Sequence, residues 1–134
     1  MTAAARELTI TRVYDAPRER VWAAWTEPEQ LACWWGRRGW NAKLDSIVLD
    51  VRPGGMFQVT SVSQDGEEMT NEATFTEVVA PQRLAFGDAV VTFADLGGGR
   101  TEMTFRTTVP HERAAAGVAS AFDRLADHLT QEPA

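Results

Sequence analysis

Short turn sequences follow one another through the middle of the chain and limit the folds that it can adopt. They fall at residues 52–55 (Arg-Pro-Gly-Gly), 64–67 (Gln-Asp-Gly-Glu) and 96–99 (Leu-Gly-Gly-Gly), between segments rich in β-branched and aromatic residues. Hairpin-length connections join antiparallel strands, whereas parallel strands require a longer crossover. The pattern therefore predicts an antiparallel meander, whose strands we expect at residues 7–14, 43–51, 56–63, 68–79, 83–86, 89–94 and 100–109.

The C-terminal segment contains the element that should cover this sheet. Apolar residues between positions 103 and 109 alternate with polar ones, so the sheet has one apolar face that must be buried. Val118, Phe122, Leu125 and Leu129 recur at spacings of four, three and four, which predicts a long amphipathic helix. We expect this helix to pack against the apolar face of the sheet.

Two short helices are predicted directly after the first strand. Pro17 and Pro28 suit first helical turns, where a missing N–H has no cost, and Gly36 is a typical helix stop. The element order is then β-α-α-β-β-β-β-β-β-α, with about seven strands. This order predicts a single α+β domain over residues 1–134 with a helix-grip fold, a curved antiparallel sheet wrapped around the C-terminal helix.

Composition and charge exclude several classes of partner. The net charge is −6, and an acidic surface repels phosphate backbones, so we expect no nucleic acid partner. The N-terminal residues lack the apolar run of a signal peptide, and no stretch is long enough for a membrane span. We therefore expect a cytoplasmic protein without membrane insertion. Cys33 is the single cysteine, which excludes an internal disulfide, and its place in an apolar pattern predicts a small core residue.

Five segments in the same order resemble one known family. They are RVYDAPRERVW (12–22), VWAAWTEPEQLACWWG (21–36), LDVRPGG (49–55), NEATFTEVVAPQRLAF (71–86) and FDRLADHL (122–129). Together they are similar to the branch named after the activator of the heat-shock-protein-ninety ATPase, within the START and birch-allergen (Bet v 1-like, SRPBCC) superfamily. The resemblance covers residues 8–129. It implies a cavity between the sheet and the long helix, in a superfamily whose members bind lipids, sterols, polyketides or hormones, or catalyse cyclisations.

The implied cavity gives a set of candidate ligand residues. In this fold the second helix and its loop flank the pocket mouth, which makes Trp34, Trp35 and Trp40 candidates, whereas Trp22 and Trp25 are expected to pack the first helix on the sheet. Inward-facing residues of the sheet and helix can belong to a filled core or to a ligand wall. The remaining candidates are Phe57, Val59, Phe75, Phe93, Met103, Phe105, Val118, Phe122 and Leu125.

The sequence predicts no catalytic residue, metal or cofactor. Asp45, Asp50 and Glu72 lie on predicted strands, but their alternation places most of them on the outer face. His111 and His128 have no cluster of further ligands around them, and no nucleophile elbow, phosphate loop or dinucleotide fingerprint is present.

We therefore expect non-catalytic binding of a small apolar or aromatic ligand, such as a lipid, sterol or polyketide-like molecule, by a monomer or weak homodimer. Two alternatives stay open. The first is a cyclase- or hydratase-like enzyme for a polyketide-like substrate, which a polar residue projecting into the cavity would favour. The second is a protein-interaction domain similar to a chaperone cofactor, which a broad exposed apolar patch would favour. Arg37-Arg38 is the one basic cluster, either a solvated loop or an anion-facing lip of the pocket.

Overall fold

One curved antiparallel sheet and three helices make up the described part of the molecule. The computed structural model describes residues 6–36, 39–109 and 112–130. Within them eight strands run in the order β1-β8-β7-β6-β5-β4-β2, and β3 also pairs with β4. In chain order the elements are β1 (Arg6–Tyr14), α1 (Arg18–Thr26), α2 (Pro28–Trp34), β2 (Trp40–Ala42), a 3-10 turn (Leu44–Ser46), β3 (Val48–Leu49), β4 (Met56–Ser63), β5 (Glu68–Val79), β6 (Arg83–Phe86), β7 (Ala89–Gly97), β8 (Arg100–Val109) and α3 (Glu112–Thr130). The predicted fold class is confirmed.

The predicted strand at residues 43–51 is interrupted in the structure. The backbone N–H of Thr60 donates to Ser46 Oγ (2.9 Å), and Ser46 Oγ donates to the carbonyl of Lys43 (2.6 Å). These side-chain bonds replace the strand ladder with a 3-10 turn, as short hydroxyl side chains often do. Within the predicted range only β3 (Val48–Leu49) is a strand, and β2 lies just before that range, so the prediction of one continuous strand over residues 43–51 is wrong. Both β2 and β3 pair with β4.

Helices α1 and α2 are joined by an extended residue and are fixed to each other and to the sheet. Glu27, between them, has φ −105° and ψ 124°, so the helical conformation is interrupted there. Pro17 is the N-cap of α1, and Pro28 is the first residue of α2. The Trp34 indole donates to the carbonyl of Ala24 (2.9 Å), and the Thr101 hydroxyl of β8 donates to the carbonyl of Ala16 (2.8 Å). Both bonds are buried, so losing either donor would leave an unsatisfied carbonyl.

Helix α3 lies across the inner face of the sheet and closes the core. Phe122, Leu125 and Leu129 are buried against the sheet, as their spacing predicts. Two polar contacts with β1 hold the helix from the side. The Tyr14 hydroxyl donates to the carbonyl of Phe122 (3.2 Å), and Arg12 Nη1 donates to Asp123 Oδ1 (2.6 Å). The three large apolar side chains contribute roughly 1.5–3 kcal/mol each.

The prediction that Cys33 is a core residue is wrong. Its side chain is exposed on α2, and Sγ approaches only the carbonyl of Glu29 one turn earlier (3.4 Å). Leu31 and Trp34 are the buried residues of α2, so the apolar stripe of this helix is narrower than its sequence indicates. Cys33 lies outside that stripe.

Candidate functional site

The predicted ligand residues meet on the inner face, between the sheet and helices α2 and α3. Trp35 and Val118 are half-buried and pack against the core, and Trp40 is half-buried on β2. The other nine are buried in a single cluster: Trp34, Phe57, Val59, Phe75, Phe93, Met103, Phe105, Phe122 and Leu125. The structure thus places all twelve on the inner side.

Aromatic rings fill most of this inner region. The ring centroid of Trp25 lies 4.8 Å from that of Trp34 and 6.1 Å from those of Phe105 and Phe122. Phe57 stacks on Phe86 with centroids 4.6 Å apart and an interplanar angle of 12°. Such pairs add about 0.5–1.5 kcal/mol beyond the area that they bury. The inner lining is therefore apolar and largely aromatic.

Two residues of this lining were not identified as site residues from the sequence. Trp25 was assigned to helix packing alone, yet it lies at the centre of the aromatic cluster. Phe86 was not selected, although it shares a face with Leu84 on the short strand β6. The alternation of Leu84 and Phe86 was the available signal, but four residues give a weak period.

Two polar atoms inside this apolar lining have no partner in the described part of the chain. They are Nε1 of Trp25, whose side chain is 1% exposed, and Oγ of Ser61, which is 4% exposed. A buried donor without an acceptor costs about 1–3 kcal/mol. The inner face therefore offers hydrogen-bonding capacity that the described protein atoms leave unused.

One rim of the inner face is less well covered than the centre. Asn71 and Met69 of β5 pair with Val59 and Ser61 of β4, so all four lie on the inner side. Nevertheless, Asn71 is exposed and Met69 is 54% exposed. The half-buried side chain of Trp35 lies next to this opening. Its Nε1 donates to Asn71 Oδ1 (3.3 Å), and its ring lies 5.2 Å from that of Phe57.

Arg124 of α3 fastens the chain segment that carries Trp35. Its guanidinium donates to the carbonyls of Trp35 (3.2 Å), Gly36 (3.0 Å), Trp40 (2.8 Å) and Cys33 (3.3 Å). The C-terminal carbonyls of α2 lack intrahelical partners, and a cation is favoured there by the helix dipole. A single side chain thus couples α3 to the rim of the inner face.

Ionisable groups lie at the margins of this region. Burial raises the pKa of the Tyr14 phenol above its ordinary value, with a smaller contribution from nearby Asp123, while Arg12 opposes the shift. Asp45 is exposed in the 3-10 turn, Glu72 is exposed on the outer face, and Asp50 accepts two bonds from Arg52 Nε (2.8 and 2.9 Å). Arg37, Arg38 and His111 lie outside the described residues. Across residues 6–36, 39–109 and 112–130, no group of three His, Cys, Asp or Glu side chains is placed to hold a metal ion.

Comparison with known proteins assigns the family. The sequence profile of the family described as "Activator of Hsp90 ATPase homolog 1-like protein" matches residues 15–132, which is most of the chain. The chain belongs to this family. The family is of the SRPBCC type, so the resemblance noted from the sequence is confirmed.

Solved structures from bacteria share the fold. A protein of Nitrosomonas europaea aligns with a TM-score of 0.84 at 24% identity, over 95% of this chain and 96% of its own. An AHSA1-like protein of Aeromonas hydrophila has a TM-score of 0.78 and 28% identity, with 92% and 91% covered. A protein of Mycobacterium smegmatis has a TM-score of 0.77 and 26% identity, with 95% and 96% covered. Among curated proteins, none matches the chain significantly.

The helices of the described residues are also too short or too polar to cross a membrane.

Proposed function

We propose that the chain binds a small apolar or aromatic molecule reversibly on the inner face, between the sheet and α3, without transforming it. The lipid, sterol and polyketide-like classes named above are the candidates. The observation that carries the proposal is the pair of unpartnered polar atoms, Trp25 Nε1 and Ser61 Oγ, within an otherwise apolar lining. Small-molecule sites typically combine an apolar wall with a few polar groups that orient the guest.

Access is proposed at the rim where Trp35 meets Asn71. The single side-chain hydrogen bond holding the Trp35 ring there is 3.3 Å long and exposed, so it contributes little to stability. Displacing the ring would uncover Phe57 and the buried centre behind it. Ala73, which pairs with Phe57, is a half-buried apolar residue packed against the core beside this rim. This rim can therefore open at a lower energetic cost than the closely packed centre.

The lining supports binding more than catalysis. In the described ranges, the buried polar side chains apart from Tyr14 are Thr60, Ser61 and Thr101. The Thr101 hydroxyl is committed to the carbonyl of Ala16. General acid–base catalysis requires a side chain that exchanges a proton near the working pH. A phenol with a raised pKa and an aliphatic hydroxyl do not meet that requirement unaided.

A dye-binding measurement tests the proposal directly. The neutral dye N-phenyl-1-naphthylamine is titrated into the protein, followed by competition with a fatty acid, a sterol and an aromatic polyketide, while Trp fluorescence is recorded. We expect saturable, competable binding that changes the Trp signal. The competitor that displaces the dye at the lowest concentration identifies the ligand class.

Two tryptophan substitutions on α3 locate the site. Val118→Trp places a large ring in the half-buried position facing the inner side, whereas Ala116→Trp adds the same ring at an exposed position of the same helix. We expect the first variant to lose dye binding and the second to retain it, with equal helical content by circular dichroism. Equal binding by both variants would reject the inner face as the site. Absence of dye binding by the folded wild-type protein would reject the function.

A further inference from the structure

The curved sheet has a gap beside the N-terminal half of β5. β6 pairs with β5 from Phe75 onward and ends at the turn that contains Gly87. Among the described residues, positions 68–73 of β5 therefore have a neighbouring strand on the β4 side only. Across the gap, residues 107–109 of β8 pair with β1 and lie beyond the start of β7. Two strand positions are missing between β5 and β8, which corresponds to a width of about 14 Å along the sheet.

The hydrogen bonds at the end of this gap show which backbone groups of β5 point into it. Phe75 exchanges two backbone bonds with the turn before β4 (2.8 and 2.9 Å), so its N–H and carbonyl point away from the gap. The carbonyl of Thr74 points the other way and accepts from the N–H of Gly87 (3.2 Å). Because this direction alternates along a strand, three residues direct their N–H and carbonyl groups into the gap: Glu68, Thr70 and Glu72.

The side chains beside the gap are open to solvent on both faces of the sheet. Residues 68–72 are all exposed. Met69 lies on the inner side, opposite Ser61 of β4, yet it is 54% exposed. The open edge of β5, residues 68–73, thus combines free backbone groups with an uncovered apolar side chain. Such an edge is a template for pairing with another strand.

Acidic side chains accompany this open edge. Glu72 is exposed on the outer face, and its carboxylate has no partner in the part of the chain that the structure describes. Glu68 Oε2 lies 3.7 Å from Lys43 Nζ, and both side chains are exposed, so this pair contributes little. Asp88 follows Gly87 in the turn that ends the gap. The edge therefore favours a basic strand over an acidic one.

A second copy of the chain does not match this edge. The antiparallel register that uses all three free residues pairs Thr70 with Thr70 of the other copy. It also places Glu68 of each copy directly opposite Glu72 of the other. Like charges in directly opposite positions destabilise a strand pair. The two glutamates thus protect the edge from pairing with itself, as charged residues do on other exposed edges.

We propose that the open edge of β5 binds an extended segment of a partner protein as an additional antiparallel strand, in which basic residues alternate with apolar ones. The basic residues lie opposite Glu68, Thr70 and Glu72 on the outer face, and an apolar residue packs against Met69 on the inner side. Main-chain bonds give affinity in this mode, and alternate side chains give specificity. The antiparallel direction continues that of every strand pair in the described sheet. Because the site is a strand edge, the proposal does not depend on a ligand of the inner face.

Amide NMR at low ionic strength with the peptide acetyl-Ser-Lys-Val-Lys-Val-Lys-Ser-amide tests the proposal. One control peptide has glutamate in place of each lysine. A second control peptide carries an N-methyl group on the central lysine, whose N–H would otherwise donate to the carbonyl of Thr70. We expect the parent peptide to cause saturable shifts of the Glu68, Thr70 and Glu72 amides, and each control to bind at least about fivefold more weakly.

Three results would each overturn the proposal. They are equal affinity of the three peptides, saturable shifts confined to residues outside the open edge, and no shifts at millimolar peptide. A fourth result would identify a second copy as the occupant and would also overturn it: shifts of the same amides that grow with protein concentration in the absence of peptide.

A pair of charge reversals on the protein completes the test. Glu72→Lys changes the open edge, and Glu29→Lys changes the net charge equally at an exposed position of α2. We expect the first variant to bind the parent peptide at least about fivefold more weakly and the second to bind it as the wild type does. Equal affinity of the two variants, with native amide spectra, would show that the peptide does not recognise this edge and would overturn the assignment.

Discussion

Replacing Arg124 by alanine should destabilise the protein by about 3 kcal/mol, although this side chain is not part of the apolar core. Its guanidinium donates to four carbonyls, three of them in partly buried surroundings. Hydrogen bonds that involve a charged group contribute roughly 1.5–3 kcal/mol each. The contributions do not add fully, because the exposed Cys33 carbonyl can be solvated and a single desolvated cation serves all four acceptors.

Urea denaturation followed by Trp fluorescence and circular dichroism measures this change. For a chain of 134 residues, a loss of about 3 kcal/mol corresponds to a fall in Tm of roughly 10 °C. Arg124→Lys retains the charge, but one compact ammonium group cannot reach four carbonyls. We therefore expect this variant to lose roughly two-thirds of the stability that Arg124→Ala loses. Arg106→Ala removes an exposed arginine with a long ion pair and should change stability by less than about 0.5 kcal/mol.

The lysine variant also separates geometry from charge. Wild-type stability in Arg124→Lys would show that the helix dipole, rather than the four hydrogen bonds, accounts for the effect. A loss below about 0.5 kcal/mol in Arg124→Ala would refute the reasoning altogether, since it would mean that water replaces the guanidinium at every carbonyl.

Three further predictions concern single ionisable groups. Tyr14 is the single tyrosine, and burial raises its pKa, so tyrosinate absorbance at 295 nm should appear only together with alkaline unfolding. Because the pKa is higher in the folded state, Tyr14 stabilises the fold below pH ~10 and loses this contribution above that pH. Burial, and secondarily Arg20, lower the pKa of His128, so the unfolded state takes up a proton first and stability should fall as the pH drops below ~6.5. The His128→Gln variant should show a smaller fall over the same range in urea titrations. Cys33 should react with one equivalent of a thiol reagent in the native protein without a change in circular dichroism, and slow reaction limited by unfolding would contradict its exposed position.

The elements with a strong periodic pattern were predictable from the sequence. Residues 100–109 alternate over a full strand, and α3 presents its large apolar residues at helical spacing, so both elements and their packing follow from burial of one face. The edge region at residues 43–51 was not predictable in detail. Its break depends on Ser46 bonding to Thr60, a residue of another strand, and no local pattern reports such a tertiary contact.

In the candidate site, too, features set by a local pattern were predictable from the sequence and features set by tertiary contacts were not. Inward-facing residues such as Phe57 and Phe105 could be selected by alternation, because period and burial are local properties. Arg124 could not be selected in this way, since a charged residue between Asp123 and Leu125 gives no sign of distant carbonyl partners. Its role depends on where the end of α2 lies in space. The central place of Trp25 likewise arises from three elements meeting around one ring.

Removal of the Arg124 side chain should lower the stability of the protein but speed the entry of a ligand. The two effects together distinguish an inner face that can open to a ligand (a latent pocket) from a core that stays filled. A guest on the inner face must displace side chains, such as the Trp35 ring, that stabilise the empty protein. Removing Arg124 loosens the segment that carries Trp35 while leaving Phe57 and Phe86 stacked behind it. For a latent pocket, Arg124→Ala should therefore lower the free energy of unfolding yet accelerate dye association in stopped-flow measurements, because less energy is needed to open the rim. For a filled core, the same variant should lose stability and gain no dye binding below its unfolding transition.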